Sequence, residues 1–193
     1  MRVTTEFVTS AAGAEGFPKD GVPELALVGR SNVGKSTLIN ALLRQKVART
    51  SAAPGKTRLA NFFRVTPEHR PPFYLVDLPG YGYARGGDAA RETFDQLAAA
   101  YFHSRPDTAV LLLVDSRHPG LDADWRAWTW LERQDLTRHV VATKLDKLTR
   151  AERQRHLAEL ERRYSGPVTA VSAQTGEGLD ALWTTITRLL TRP

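Results

Sequence analysis

Five short apolar runs recur along the chain: Leu25-Ala26-Leu27-Val28, Phe73-Tyr74-Leu75-Val76, residues 109–114, Val140-Val141-Ala142 and Val168-Thr169-Ala170-Val171. They are nearly continuous in apolarity. A strand covered on one face alternates with period two, whereas a strand covered on both faces does not. The runs therefore read as buried strands. Asn61-Phe62-Phe63-Arg64-Val65 fits a strand at the sheet edge. Between the strands the period changes. Leu179, Leu182, Ile186 and Leu189 recur at helix spacing, as do Leu157, Leu160 and Tyr164, and residues 36–43 and 89–103 read as further helices. Thr149 followed by Glu152 matches a capping box, which pairs two orphan donors at a helix start. Strands alternating with helices predict an α/β fold with a mostly parallel central sheet and helices on both faces. Residues 1–23 read as an N-terminal extension before the core, and residues 24–193 as one domain. Residues 13–21, 44–64 and 81–87 read as loops for much of their length, and long loops in a compact domain are commonly functional.

Composition mainly excludes. With 193 residues, 41% of them hydrophobic, the chain has the apolar content of a globular protein and not of a disordered one. It has no cysteine, which removes disulfides, thiolate metal sites and cysteine nucleophiles. Residues 109–114 are the longest apolar run, far short of a membrane span, and residues 1–19 lack a continuous apolar segment. A cytoplasmic, soluble protein is the expectation. The net charge of +6 permits an anionic partner without naming one.

The chemistry is concentrated where predicted strands end. Gly29-Arg30-Ser31-Asn32-Val33-Gly34-Lys35-Ser36, followed by Thr37, places two glycines around four residues and then Lys and Ser. Such a loop wraps tightly enough for backbone N–H groups to face phosphate oxygens, and the next helix adds its positive N-terminal dipole. Lys35 would neutralise the β- and γ-phosphates and Ser36 would give a hydroxyl to Mg²⁺. Asp77-Leu78-Pro79-Gly80 ends another strand. An acidic residue there can hold Mg²⁺ through water, and the Gly80 N–H can approach a γ-phosphate. Thr143-Lys144-Leu145-Asp146 ends a third. The Asp146 carboxylate can accept two hydrogen bonds from guanine, a pair adenine does not offer. The Lys144 stem can lie across the base. Val171-Ser172-Ala173 can add backbone contacts to the base.

These elements, in this order, resemble the motifs of translation-factor-like P-loop GTPases over roughly residues 24–193. Within that class the chain resembles the EngB-type (YihA/YsxC-type) ribosome-biogenesis GTPases. The narrower match rests on Asp77-Leu78-Pro79-Gly80-Tyr81-Gly82-Tyr83-Ala84, on Asp115-Ser116-Arg117-His118-Pro119, and on Thr143 where most GTPases carry Asn. The resemblance implies a P-loop GTPase fold, GTP/GDP and Mg²⁺ as ligands, and a first switch at Pro54-Gly55-Lys56-Thr57, with Gly55, Lys56, Thr57, Arg58 and Leu59 among the nucleotide-binding residues. Thr57 would be the second protein ligand to Mg²⁺ beside Ser36; read alone, Pro54-Gly55 is a turn and Thr57 a solvated hydroxyl. It further implies an assembly factor for the large ribosomal subunit, with a family link to cell division and septation. The alternative is a regulatory switch acting on a protein effector without ribosome contact.

Two features shape the expected mechanism. Tyr81 stands where many GTPases carry the glutamine that orients the attacking water, so intrinsic hydrolysis should be slow. Asn32 has two readings: it packs the loop, or, as in related GTPases lacking the glutamine, it helps hold a K⁺ ion beside the phosphates. Lys35, Thr57 and Asn32 are the expected catalytic set. Arg44, Lys46, Arg49, Lys56, Arg58 and Arg64 fall in a window with no Asp or Glu. That basic window overlaps the first switch and suits contact with rRNA phosphates; its other reading is charge that screens bound nucleotide. A monomer is the simplest expectation. Trp125, Trp128, Trp130 and Trp183 read as packing residues rather than as a base-stacking surface, with partial exposure on the first helix.

Overall fold

The computed structural model describes residues 2–48, 59–81 and 87–191, with residues 87–95 described by their backbone alone. The strands are β1 (Val3–Ala11), β2 (Glu24–Gly29), β3 (Ala60–Pro67), β4 (Phe73–Asp77), β5 (Ala109–Asp115), β6 (Arg138–Thr143) and β7 (Val168–Ala170). The helices are α1 (Lys35–Leu43), α2 (Gly87–Ser104), α3 (Asp122–Arg133), α4 (Arg150–Arg163) and α5 (Leu179–Leu190). One sheet runs in the order β1-β3-β4-β2-β5-β6-β7. Pairs from β4 through β7 are parallel, while β3 pairs antiparallel with both β1 and β4.

Strands β2, β4 and β5 are buried along their whole length, β6 is buried beyond Arg138, and β7 is only partly buried. Ala26, Val28, Val76, Leu112, Val114 and Ala142 point into one layer, closed by Tyr101 and Phe102 of α2, Leu131 of α3 and Leu160 of α4. Leu25, Leu27, Leu75, Leu111, Leu113 and Val141 point into the other, closed by Leu38, Ile39 and Leu42 of α1 and by Leu182, Trp183 and Ile186 of α5. The capping box at α4 is formed: Thr149 Oγ1 accepts from Glu152 N at 3.4 Å, and Thr149 N donates to Glu152 Oε2 at 2.8 Å. The tryptophans pack against aromatic neighbours, Trp128 on Tyr164, Trp130 on Phe102 and Trp183 on Phe73, and Trp125 stays partly exposed beneath Arg163.

The segment expected as an extension before the core contributes a strand. β1 pairs along its length with β3, from Val3 opposite Pro67 to Ala11 opposite Ala60, with a bulge at Val8. Its partner lies some fifty residues away and most of its side chains are exposed. An edge strand of that kind carries no run of buried apolar residues to announce it.

Candidate functional site

Because β2, β4, β5, β6 and β7 are mutually parallel, their C-terminal ends lie along one edge of the sheet. That edge is where open α/β sheets bind ligands. It gathers residues 29–37 after β2, residues 77–80 after β4, residues 143–146 after β6 and residues 171–173 after β7. The register Asn61↔Asp77 brings the start of β3 to the same edge, with exposed Leu59 just before it. Gly55, Lys56, Thr57 and Arg58 lie outside the described residues, as do Arg49, Pro54, Gly82, Tyr83 and Ala84.

Gly29 ends β2 and Lys35 begins α1. Two turns in the left-handed region close the loop between them, at Asn32 (φ 63°) and at Gly34 (φ 105°). The second is a conformation that glycine adopts at little cost. Lys35 Nζ lies 2.9 Å from Asp77 Oδ1, and both side chains are nearly buried. Ser36 follows at the open end of the helix and is half-buried, while Thr37 and Asn32 are exposed. Asn40 braces the chain leaving α1, since its Nδ2 donates to Ala48 O and its Oδ1 accepts from Ala48 N, both at 2.8 Å.

The turn after β4 packs directly on the loop. Ser31 N donates to Tyr81 O at 3.0 Å and Tyr81 N to Gly29 O at 3.3 Å. A Cβ on Gly80 would sit 2.8 Å from Ser31 N and 3.0 Å from Ser31 Cα, so only glycine fits this approach. Leu78 and Pro79 are buried. The Tyr81 ring turns inward, 9% exposed, and its hydroxyl donates to Asp124 Oδ1 on α3 at 2.9 Å.

The strand β6 end reaches back to the loop. Thr143 Oγ1 donates to Val33 O at 2.7 Å and to Val114 O at 3.1 Å. The hydroxyl of Thr143, which stands where most GTPases carry Asn, is thus committed to the loop backbone. Lys144, itself left-handed (φ 61°), donates to Asn32 O at 2.6 Å and to Asp115 Oδ2 at 2.9 Å. Asp115 also accepts from Arg117 N, Nε and Nη2 at 3.1, 2.9 and 2.7 Å. Burial opposes its ionisation, but these bonds outweigh burial and hold its carboxyl well below the usual carboxylate range. His118 is exposed, and its backbone N–H closes the turn onto Asp115 O at 2.9 Å.

Asp146 is fixed by Ser172 Oγ, which donates to its Oδ1 at 2.7 Å; that bond first, with Lys147 adding, keeps the carboxyl below its ordinary value. Fully buried Ser172 also receives Thr175 N on the same oxygen at 3.2 Å. Leu145 and Val171 are buried, joined by Leu145 N to Val171 O at 3.1 Å, and Ala173 is half-buried.

Sequence reasoning missed three partners here: Asp124, Asn40 and the Asp115–Lys144 pair. Asp115 and Arg117 stood in a motif, so their local contact could have been found at a strand end. Asp124 and Arg30 are 94 residues apart and share no local period.

A loop of this shape between a strand and a helix, with an acidic strand end beside its lysine and a second carboxylate fixed at β6, defines the P-loop GTPase class. Residues 24–168 match the family described as 50S ribosome-binding GTPase. The probable GTP-binding protein EngB of Exiguobacterium sibiricum is 43% identical over 191 residues, covering 96% of this chain and 97% of that protein. A crystal structure of a probable GTP-binding protein engB superposes with TM-score 0.70 at 24% identity, over 86% of this chain and 98% of that one. Era bound to MgGDPNP and nucleotides 1506–1542 of 16S ribosomal RNA superposes with TM-score 0.77 at 25% identity, over 89% of this chain and 58% of that one. The chain belongs to the EngB family of GTP-binding proteins. It binds guanine nucleotide and hydrolyses GTP.

Proposed function

We propose that this GTPase is an assembly factor for the large ribosomal subunit, binding the particle through rRNA in its GTP form and leaving it as GDP. The observation that carries the reading is the match of residues 24–168 to a family described as 50S ribosome-binding GTPase. The proposed nucleotide site uses the backbone of residues 29–37 around the phosphates, with Lys35 neutralising their charge. Asp146 reads the guanine edge, with Lys144 across the base and the residues 171–173 backbone beside it. Gly80 meets the γ-phosphate, and the family resemblance assigns its sensing to Thr57 of the first switch, which lies outside the described residues.

Mg²⁺ fits the donor set. The Ser36 hydroxyl, the Asp77 carboxylate through water and Thr57 are hard oxygen donors of the kind Mg²⁺ takes. When bound, the ion would neutralise charge on the β- and γ-phosphate oxygens. Intrinsic turnover is slow, because Tyr81 offers no amide to orient water and its hydroxyl is engaged on Asp124. Asn32 supports stimulation by K⁺: it is exposed at the loop apex, and its carbonyl is held by Lys144. Turnover in KCl and NaCl at equal ionic strength tests this, and equal rates refute it.

Among the basic residues of the first-switch window, Arg44 and Lys46 are exposed beyond α1, which supports a phosphate-contacting surface. Arg64 belongs to β3 and is spent on Asp20, 3.0 Å away. The protein would act as a monomer in the cytoplasm. Among the described residues no helix is long and apolar enough to cross a membrane. Effects on cell division and septation would follow from impaired subunit assembly. Sedimentation with separated ribosomal subunits tests the reading. Co-migration with the large subunit only in a non-hydrolysable GTP analogue is expected; no co-migration at low salt in any nucleotide state overturns it.

A further inference from the structure

Helix α3 carries one carboxylate that the GTPase motifs do not account for. Asp124 lies in its first turn and is 1% exposed. Its Oδ1 accepts from Arg30 Nε at 3.0 Å and from the Tyr81 hydroxyl at 2.9 Å. Its Oδ2 is buried with no hydrogen-bond partner among the described residues. Burial therefore raises the Asp124 carboxyl above the usual range, with Arg30 and Tyr81 only partly opposing it. A buried ionic cluster with an open valence is a poor device for stability, since apolar groups of the same shape would serve as well or better. What it does supply is geometry. Arg30 is the second residue of the phosphate loop, and Tyr81 is the first residue after Gly80.

The same two residues are joined through their backbones. Arg30 and Tyr81 form a parallel bridge, with Ser31 N donating to Tyr81 O and Tyr81 N to Gly29 O. Gly80 is pressed against Ser31 at a distance that leaves no room for a Cβ. The position of the Gly80 backbone over the loop thus depends on where Tyr81 is held, and the Tyr81 side chain is held by α3.

We propose that Asp124 is a positioning residue for GTP hydrolysis, fixing the turn after β4 through Tyr81 and the phosphate loop through Arg30 as one unit. Its effect falls on the hydrolytic step more than on diphosphate binding. GDP has no γ-phosphate for the Gly80 backbone to meet, so the tie matters most when the third phosphate is present. The Tyr81 hydroxyl acts as an anchor on α3 and takes no part in the chemistry.

The test compares wild type with Tyr81→Phe, Asp124→Ala and the double variant. Tyr81→Phe keeps the ring and removes only the anchoring hydroxyl, so it folds even if the Asp124 change is poorly tolerated. Single-turnover GTP hydrolysis is measured in magnesium and potassium buffer. GDP affinity is measured by titration with a fluorescent GDP, and Tm by circular dichroism. Loss of one hydrogen bond to a charged acceptor corresponds to about tenfold. Each single variant is expected to hydrolyse GTP about tenfold more slowly with GDP affinity within about twofold of wild type. The double variant should be no slower than the worse single one, because both act through one contact. Wild-type hydrolysis by Tyr81→Phe overturns the proposal. So do losses that multiply in the double variant, or a fall in Tm and GDP affinity with hydrolysis of the bound GTP unchanged.

Discussion

Replacing Thr143 by Val keeps the shape of the side chain and removes its hydroxyl. Thr143 is 3% exposed, and that hydroxyl is the donor to Val33 O at 2.7 Å, with a weaker share to Val114 O at 3.1 Å. A methyl in its place creates no cavity, so the cost is the desolvated carbonyl of Val33 left without this donor. Such a loss costs about 1–3 kcal/mol. Val33 lies inside the phosphate loop, which can relieve the orphaned carbonyl by turning its peptide. Part of the cost then leaves global stability and appears as a distorted loop. The expected result is a urea-unfolding free energy lower by about 1–3 kcal/mol at unchanged m, together with GDP binding weakened by roughly fivefold or more. Thr143→Ser is the control. It keeps the hydroxyl and loses one methyl, costing about 1 kcal/mol of stability, while GDP affinity stays within about twofold of wild type. If Thr143→Ser binds GDP as weakly as Thr143→Val, the hydroxyl is not what holds the loop. If Thr143→Val binds GDP as wild type does, the loop does not need the contact.

Asp115→Asn should weaken GDP binding by about tenfold in a fluorescence titration, since Lys144 loses its charged partner across the loop. The same variant has a pH signature. The Asp115 carboxyl is held below its unfolded value of 3.8, so its stabilising contribution is complete above that pH and is lost as pH falls further. The gap in stability between wild type and Asp115→Asn should therefore narrow on acidification below about pH 4, read by urea unfolding across that range. Gly80→Ala places a Cβ 2.8 Å from Ser31 N, a backbone atom that cannot step aside. It should cost about 1–3 kcal/mol and slow single-turnover hydrolysis; wild-type values in both assays refute the close approach. Thr149→Ala removes the capping box of α4 and should cost about 1 kcal/mol, a fall in Tm of about 2–4 °C for a chain of this size.

The parts of this fold that are legible in sequence are those where one physical requirement dominates. Strands β2, β4 and β5 are sandwiched between helices and buried throughout, so the positions between their ends must be apolar, and the runs at Leu25 and Val110 say so without a partner in view. The loop from Gly29 to Ser36 is legible because cradling phosphate with backbone demands particular residues at fixed spacing. Strand β1 is not, because an edge strand with one exposed face satisfies the sheet through backbone bonds that any sequence can make. The role of Thr143 is half legible. Its position in the motif was evident, but whether its hydroxyl faces a base or a carbonyl depends on how close Val33 comes, and that is set by the packing of β6 beside β5. The Arg30–Asp124–Tyr81 contact is wholly tertiary, joining residues from three elements that share no spacing.

The side chains around the phosphate loop share one feature of polarity that bears on how the loop works. Thr143 donates to the carbonyl of Val33 and Lys144 to the carbonyl of Asn32. The donors are the last residue of β6 and the residue that follows it, and both take oxygens of the loop. A peptide whose carbonyl is held on one side must present its N–H on the other, because the unit is planar and trans. Fixing the carbonyls of Asn32 and Val33 therefore fixes the N–H groups of Val33 and Gly34. Of these, Val33 N also bonds Arg30 O at 3.2 Å, which tightens the turn. An anion cradle of this kind gains most when its dipoles are oriented before the ligand arrives, since no reorganisation is then required on binding. Thr143 and Lys144, in the motif proposed to read guanine, thus brace the phosphate loop. A change at Thr143 or Lys144 should weaken inorganic pyrophosphate binding along with GDP binding. Asp146, which touches no loop carbonyl, should alter base selectivity and leave pyrophosphate binding unchanged. Competition of pyrophosphate against a fluorescent GDP in Thr143→Val and Asp146→Asn separates the two effects, and equal pyrophosphate affinity in both variants refutes the coupling.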